Sequence, residues 1–419
     1  MKARAARLYG ANDIRVEDFE LPEISDKEIL IKVVSNSICM STYKAAILGK
    51  DHKRVPETIS EKPIITGHEF AGEIVEIGDM WKEKYDVGEK VTIQPALYYQ
   101  GTPHAPGYSY EFCGGNTTYC IIPWEFIEFG CLLKYDGESY SNASLAEPMS
   151  CIIGAYHANY HMEAYTYQHL MGIKEGGNLA LLAAAGPMGL GAIDYIIHSD
   201  RRPGRVVVVD INEERLATAK KVLTVEEAAK NGVELAYINS NELDDPVAYL
   251  MDLTEGTGFD DAYVYAPVKS VIALADDILG KDGCLNFFAG PTDSKFKAEF
   301  NFYNVHYIGT HVIGTTGGST NDMRESLNLT AKDVINPAVM ITHVGGLEVV
   351  PETVLNLPKI PGGKKLIYPH IEMPLIDIRD FSDLAAEDAR YKELESILDK
   401  SNRIWSLEAE KFVLENFGR

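Results

Sequence analysis

Cysteine is scarce in this chain. The six are Cys39, Cys113, Cys120, Cys131, Cys151 and Cys284 among 419 residues, with no close CxxC pair. So scattered a set is not a disulfide framework, and it fits a reducing compartment. Long apolar runs are also missing: no stretch approaches the roughly 18 residues of a membrane span. Met1 to Gly10 lacks the apolar segment of a signal peptide, so a cytoplasmic protein is expected. Basic residues are the minority, 39 Lys plus Arg against 62 Asp plus Glu, for a net charge of −23. Such a field repels a polyanion, which argues against nucleic acid as a partner. It says nothing against a small anion, which needs only a few local cations. There is no low-complexity segment and no internal repeat beyond strand–helix units. The remaining composition, 46% apolar and 24% charged, is that of an ordinary globular chain, long enough for about two to three domains.

Two textures divide the sequence. Up to about residue 150 it is β-rich and punctuated by Gly and Pro, with EILIKVV at 28–34, a strand on either side of His68, EKVTIQP at 89–95 and NTTYCIIP at 116–123. Short strands so spaced predict a partly closed barrel. Leu97 to Cys113, rich in aromatics, Gly and Pro, reads as a long surface loop of the kind that is usually functional. From about residue 155, strand and helix patterns alternate: GGNLALLAAAG, MGLGAIDYIIH, RVVVVD, NEERLATAKKVL, and onward to HYIGTHVIGTT, read as an apolar strand. This predicts a doubly wound parallel sheet covered on both faces. VMITHVGG, LEVVPETVLNLP and GGKKLIYP then look like a return to the first domain. The expected architecture is α/β, with residues 1–154 and 335–419 forming a β-rich domain split around a dinucleotide-binding domain at 155–334. The tail from Asp380 to Arg419 is charged and helical in period.

The parallel-sheet half carries a nucleotide signature. Strand 179–183 runs into Ala184-Ala185-Gly186-Pro187-Met188-Gly189, a GxGxxG turn whose first glycine is alanine. Gly186 lets the backbone approach a pyrophosphate, Gly189 allows close packing of helix on strand, and the helix N-terminus offers N–H donors. Asp210 ends the next strand, where a carboxylate accepts from ribose hydroxyls and repels a 2′-phosphate, favouring NAD over NADP. Arg215, in the helix that follows, is assigned to the same cofactor site. A ligand-free tight turn would share the glycines; the paired Asp argues for the nucleotide.

The β-rich half carries a metal signature. In Pro63 to Gly78, PIITGHEFAGEIVEIG, His68 and Glu69 stand side by side between two strands. Upstream, Cys39 offers a soft thiolate; far downstream, Glu147 offers a carboxylate. Taken singly, each has a bland reading: a small buried thiol, a core histidine, a turn carboxylate. Together, a Cys, a His and one or two Glu are what an open catalytic zinc site requires, with a position left for water or substrate.

The order Cys39, GHE at 67–69, Glu147-Pro148, nucleotide turn and return segment resembles the medium-chain, zinc-dependent alcohol and polyol dehydrogenases. The resemblance implies a GroES-like catalytic domain split around a central Rossmann domain, with the active site in the cleft between them. It implies Cys39 and His68 as zinc ligands, the third being Glu69 or Glu147. Ser41 would keep the hydroxyl that passes the substrate proton, while the relay histidine usual in the family is replaced by Lys44, which could shuttle protons, bind a substrate phosphate or simply be solvated. The cysteine-rich lobe of the family is absent, so one catalytic zinc and no structural zinc are expected. Lys364 or Lys365 stands where relatives place a base near the cofactor pyrophosphate; the alternative is an exposed pair on the last strand. CMSTYK and the segments 314–327 and 343–369 look most like sorbose-1-phosphate reductases, implying a phosphorylated ketose as substrate. The expected mechanism is hydride transfer between NAD(H) and a polyol or ketose in a homodimer or homotetramer, with zinc as Lewis acid and Ser41, Lys44 and Glu69 as catalytic groups. Competing readings are a free-polyol or threonine-dehydrogenase-like enzyme, and an idle nucleotide-binding protein whose acidic tail binds a partner.

Overall fold

A computed structural model of the chain describes residues 1–163, 166–386 and 388–418. Two compact units emerge: Met1–Pro148, Met323–Asp333 and Ile341–Arg419 make the first, and Met149–Asp322 with Val334–Met340 the second. Glu387 and Arg419, within the tail read as helical, lie outside the described residues.

The first unit is built from strands β1 (Lys2–Gly10), β2 (Asp13–Glu20), β3 (Ile29–Ile38), β4 (Ile64–Ile65), β5 (Glu69–Ile77), β6 (Lys90–Ile93), β7 (Tyr119–Ile122) and β8 (Leu132–Lys134). The second unit begins with an antiparallel pair, β9 (Tyr160–Met162) and β10 (His169–Met171). It continues through β11 (Asn178–Leu182), β12 (Arg205–Asp210), β13 (Glu234–Asn239), β14 (Phe259–Val264), β15 (Leu279–Phe287) and β16 (His311–Ile313). The chain then returns to the first unit as β17 (Ile341–Gly346), β18 (Lys364–Tyr368) and β19 (Ile376–Asp377).

In the first unit, β1 pairs with β2 and β4, and the main sheet runs β19-β17-β18-β3-β5-β6-β8. Strand β3 is its spine. It is long enough to take two partners along one side, β7 against Ile29–Lys32 and β18 against Asn36–Ile38, while β5 pairs along the other. Ile29, Ile31 and Val33 point from it into a core shared with Phe70, Ile74, Val91, Ile93 and Phe126. The tail is integral to this unit. Its helices Ala389–Lys400 and Leu407–Asn416 bury Leu394, Ile397, Leu398, Ala409 and Val413. Glu410, buried, accepts from the backbone N–H groups of Tyr140 and Ser141 at 2.7 Å each and from the Tyr368 hydroxyl at 2.9 Å. Those two N–H groups open the helix Tyr140–Ser144 and have no partner within it.

The second unit is a six-stranded parallel sheet in the order β13-β12-β11-β14-β15-β16, a Rossmann topology. Its central strands are buried on both faces, which is why they read as unbroken apolar runs: Leu179 to Leu182 and Val206 to Val208 are wholly buried. The strand expected across HYIGTHVIGTT is shorter than its apolar content suggests. Asn301 accepts from the N–H groups of Tyr303 and Asn304 and starts a helix, Phe302–Tyr307; Gly309, at φ +76°, turns the chain, leaving only His311–Ile313 as the edge strand.

Helix Pro187–His198 follows β11 and shows why Gly189 is glycine. A Cβ there would lie 1.8 Å from the Ala184 carbonyl oxygen. Gly189→Ala should therefore destabilise the protein by about 3 kcal/mol through overpacking. Urea denaturation followed by circular dichroism checks this; an unchanged midpoint would show that helix and strand can separate.

Candidate functional site

Strand register assembles the first site. Ser37 of β3 lies opposite Glu69 of β5 on one side and Leu366 of β18 on the other. Cys39, just past β3, His68, just before β5, and Lys364, opening β18, are thereby drawn together. Cys39, His68 and Glu69 each present one ligand atom, all within 4.8 Å of one another, the one such group among the described residues. His68 and Glu69 are buried and Cys39 is partly exposed.

Hydroxyl groups surround this cluster. Ser41, in helix Met40–Leu48, donates to Cys39 Sγ at 3.0 Å and lies 3.3 Å from His68 Nε2, while Thr42 Oγ1 lies 3.4 Å from Nδ1. The Tyr108 hydroxyl donates to Ser41 Oγ at 2.7 Å and sits 3.2 Å from His68 Nε2. Tyr108 comes from the Leu97–Cys113 segment, whose first part is the surface loop its composition suggests, with Tyr98, Gln100, Gly101, Thr102 and His104 exposed, but whose later part is buried: Ala105, Tyr108 and Cys113 are each 1% exposed. Two glycines explain the close fit. Gly107, at φ +77°, has no room for a Cβ, which would fall 2.1 Å from the Gly67 carbonyl oxygen. The segment is laid directly on the GHE turn, and Tyr108 was missed because nothing in its local sequence marks that long-range contact.

Glu69 is wholly buried, and both its oxygens accept from the Lys364 ammonium, at 2.5 and 2.7 Å; Ser37 Oγ also donates to it. Burial alone would raise the carboxyl pKa, but Lys364, His68 and Ser37 outweigh it and hold Glu69 below its ordinary value. Lys365 is buried too and donates to the carbonyls of Pro361 and Gly363 at 2.7 Å each. The expected alternative of an exposed lysine pair is thus corrected: both ammonium groups are held inside the first unit, and Lys364 serves the Glu beside the histidine. Lys44 lies one turn beyond Ser41, partly buried.

These electrostatics suit a metal. Burial lowers the His68 pKa despite the nearby Glu147 and Glu69, which keeps the imidazole in its neutral, ligating form. Burial raises the Cys39 thiol, so its thiolate calls for a cation beside it. Glu147, in helix Ala146–Ala158, is pushed up to about 7, chiefly by desolvation, with His68 opposing and Glu69 and Cys39 adding to the rise. Sulfur, nitrogen and carboxylate donors from two chain segments, Cys39 and the His68-Glu69 pair, therefore converge in a set that suits zinc, and Glu147 lies within their electrostatic reach.

The turn expected to bind the nucleotide lies in the second unit. Gly186 caps helix Pro187–His198, with open space where its Cβ would be; Pro187, first in the helix, has no N–H to satisfy, and Met188 is partly buried. Asp210 ends β12 and accepts from Ala185 N at 2.9 Å, Ile211 N at 2.8 Å and Asn212 N at 3.1 Å, tying the turn to the neighbouring strand. Tight curvature falls on Ala183, left-handed at φ +56°, one residue before the alanine that replaces the first fingerprint glycine. Arg215 is exposed in the first turn of helix Glu213–Val222, its backbone N–H capped by Asn212.

Comparison with known proteins agrees with this geometry. Residues 25–138 match the alcohol dehydrogenase GroES-like domain, and residues 187–332 match the zinc-binding dehydrogenase family. The chain is 57% identical over 413 residues to mannitol-1-phosphate 5-dehydrogenase of Aliivibrio fischeri (strain ATCC 700601 / ES114), covering 98% of this chain and 97% of that protein. It is 42% identical over 410 residues to L-sorbose 1-phosphate reductase of Klebsiella pneumoniae, covering 98% and 97%. The crystal structure of 2R,3R-butanediol dehydrogenase from Bacillus subtilis shares the fold, with TM-score 0.71 and 23% identity over 88% of this chain and 99% of that one.

Glu147 makes the metal-free protein pH-sensitive. Between its ordinary value of 4.5 and its folded value of about 7, the unfolded chain has lost this proton while the folded chain keeps it. Its contribution to stability is full below that window and is lost as pH rises through it, by about 3 kcal/mol in all. Urea midpoints of chelated protein from about pH 5 to about pH 8 should therefore show a decline that Glu147→Gln flattens. An identical slope in the variant would assign the titration elsewhere.

Proposed function

The chain belongs to the zinc-binding, medium-chain alcohol and polyol dehydrogenases, and on that premise we propose that it interconverts a phosphorylated ketose and its polyol phosphate with NAD(H). The observation that carries the reading is the convergence of Cys39, His68 and Glu69, with the Ser41 hydroxyl against Cys39 and His68. The phosphorylated substrate is supported by the names of the two curated relatives, each of which carries a sugar phosphate.

Cys39 and His68 would hold the zinc, and because Lys364 takes both oxygens of Glu69, Glu147 is assigned as the third ligand. Bound zinc supplies Lewis-acid polarisation of the substrate carbonyl, and the bound nucleotide supplies the hydride. Ser41 gives a proton to the new hydroxyl on reduction and takes it back on oxidation. Tyr108, donating to Ser41 at 2.7 Å, keeps the serine hydroxyl oriented; burial lifts its own pKa well above the ordinary phenol value, so it stays a donor throughout the working pH range. In the second unit, Gly186, Pro187, Met188 and Gly189 would receive the pyrophosphate at the helix N-terminus. Asp210 would accept from the ribose hydroxyls and disfavour a 2′-phosphate, which makes NAD the assigned nucleotide. The chain is proposed to act as a homodimer or homotetramer. Support comes from the apolar surface near the β16 edge, where Phe302, Tyr303, Tyr307 and Val312 are exposed.

Two measurements test this. Chelation should abolish turnover while NADH binding persists, and added zinc should restore activity; turnover that survives verified metal removal would refute the metal role. NADH oxidation with a ketose 1-phosphate, its unphosphorylated parent and 2-amino-3-oxobutyrate, side by side, should favour the phosphate ester. Preference for the free sugar or the amino ketone would leave the zinc chemistry standing and refute the substrate.

A further inference from the structure

The segment joining helix Met40–Leu48 to β4 carries His52, Lys53 and Arg54. The Arg54 guanidinium lies over the ring of Tyr108, with Cζ 5.2 Å from the centroid, and over Tyr98 at 6.0 Å. Tyr108 in turn packs on the His68 imidazole, centroids 4.7 Å apart, and on His52 at 5.8 Å. One aromatic ring therefore touches both the metal-site histidine and an arginine. Hydrogen bonds leave that arginine underused: its side chain makes a 3.4 Å contact from Nη2 to the Tyr98 hydroxyl, and its Nε is buried with no partner.

Arg54 is also the wrong kind of residue to be left alone in so acidic a chain. Elsewhere Arg4, Arg7, Arg205, Arg379 and Arg403 are each paired with Asp or Glu. Among the described residues Arg54 meets no carboxylate, although the net charge is −23. Two more cations stand near it: Lys44 and Lys53 join Arg54 in opposing a proton on His52, after desolvation, which is the larger effect. The field of Arg54 is felt at His68 and Tyr108 as well.

We propose that Arg54, next to Lys53, is the anchor for the phosphoryl group of the substrate, a specificity site built against the ring of Tyr108. The inference rests on the sugar-phosphate reading above and names the residues that would enforce it. Contact with Tyr108 and Tyr98 holds the guanidinium in place before substrate arrives; a planar fork meets a phosphate bidentately, which a lysine cannot do. A phosphate monoester held there brings the rest of the sugar across one ring toward Ser41 and His68. An acidic surface repels anions in general, so this local cluster would select a substrate that reaches Arg54 and the metal site together.

The test compares kcat/KM for a ketose 1-phosphate and for its unphosphorylated parent in wild type, Arg54→Gln and Arg54→Lys. The ratio of the two should fall about 100-fold in Arg54→Gln, mainly through KM for the ester, with Arg54→Lys between. Inorganic phosphate, competitive with the ester in wild type, should lose its effect in the same order. Equal losses on both substrates would make Arg54 a prop for Tyr108 and overturn the proposal, as would an unchanged ratio. Arg54→Lys keeps charge and bulk, so it carries the comparison should Arg54→Gln fail to fold. A wild-type ratio near one would instead refute the sugar-phosphate reading itself, which separates the two failures.

Discussion

A carboxylate with no solvent exposure cannot stay ionised without a partner, and at Glu69 that partner is Lys364. The two lie 295 residues apart in sequence, one opening β5 and the other opening β18. Burying two charges is costly unless geometry and further hydrogen bonds compensate, and losing one partner leaves the other stranded at about 3–5 kcal/mol. The compensation here is thorough: both carboxylate oxygens meet the ammonium, and Ser37 adds a third donor. The pair thus fastens the returning segment of the chain to the strand that follows His68, beside the cluster of Cys39, His68 and Glu69.

Around this pair the first unit places hydroxyl groups rather than more charge. Ser41 and Tyr108 form a donor chain that ends on Cys39, with His68 Nε2 within 3.3 Å of both oxygens. Hydroxyls suit this position because they can donate or accept as the chemistry demands without adding an ion to a buried site. The Leu97–Cys113 segment is what makes this possible, since it delivers Tyr108 across the GHE turn through contact between two glycine backbones. The aromatic ring there packs against His68 and lies within 5.2 Å of the Arg54 guanidinium.

The second unit meets a different constraint, the approach of backbone to backbone. Gly189 lets the helix sit on the carbonyl of Ala184, and the Asp210 carboxylate ties the turn to β12 through the Ala185 N–H while capping the N–H groups of Ile211 and Asn212 that follow it. Ala183 carries the left-handed curvature that glycine would take without strain, at a cost of order 1 kcal/mol held by the strands around it.

Much of this was legible from residues alone. Unbroken apolar runs announced a parallel sheet, because strands buried on both faces have no polar side to show; glycine spacing after β11 announced a tight turn from strand into helix; and His68-Glu69 between two strands announced a buried polar cluster, because that pair makes a poor core. Each signal is local, written within about ten residues by periodicity or turn chemistry. Other features depended on tertiary structure. Lys364 read as an exposed or cofactor-facing base until strand pairing set it on Glu69. Tyr108 sat in what looked like a surface loop, and Arg54 drew no notice at all. The strand foreseen across HYIGTHVIGTT shrank because an asparagine cap started a helix first. Side chains that meet across 67 or 295 residues do so through strand register and loop docking, and no pattern within a single segment encodes which distant segment will lie against it.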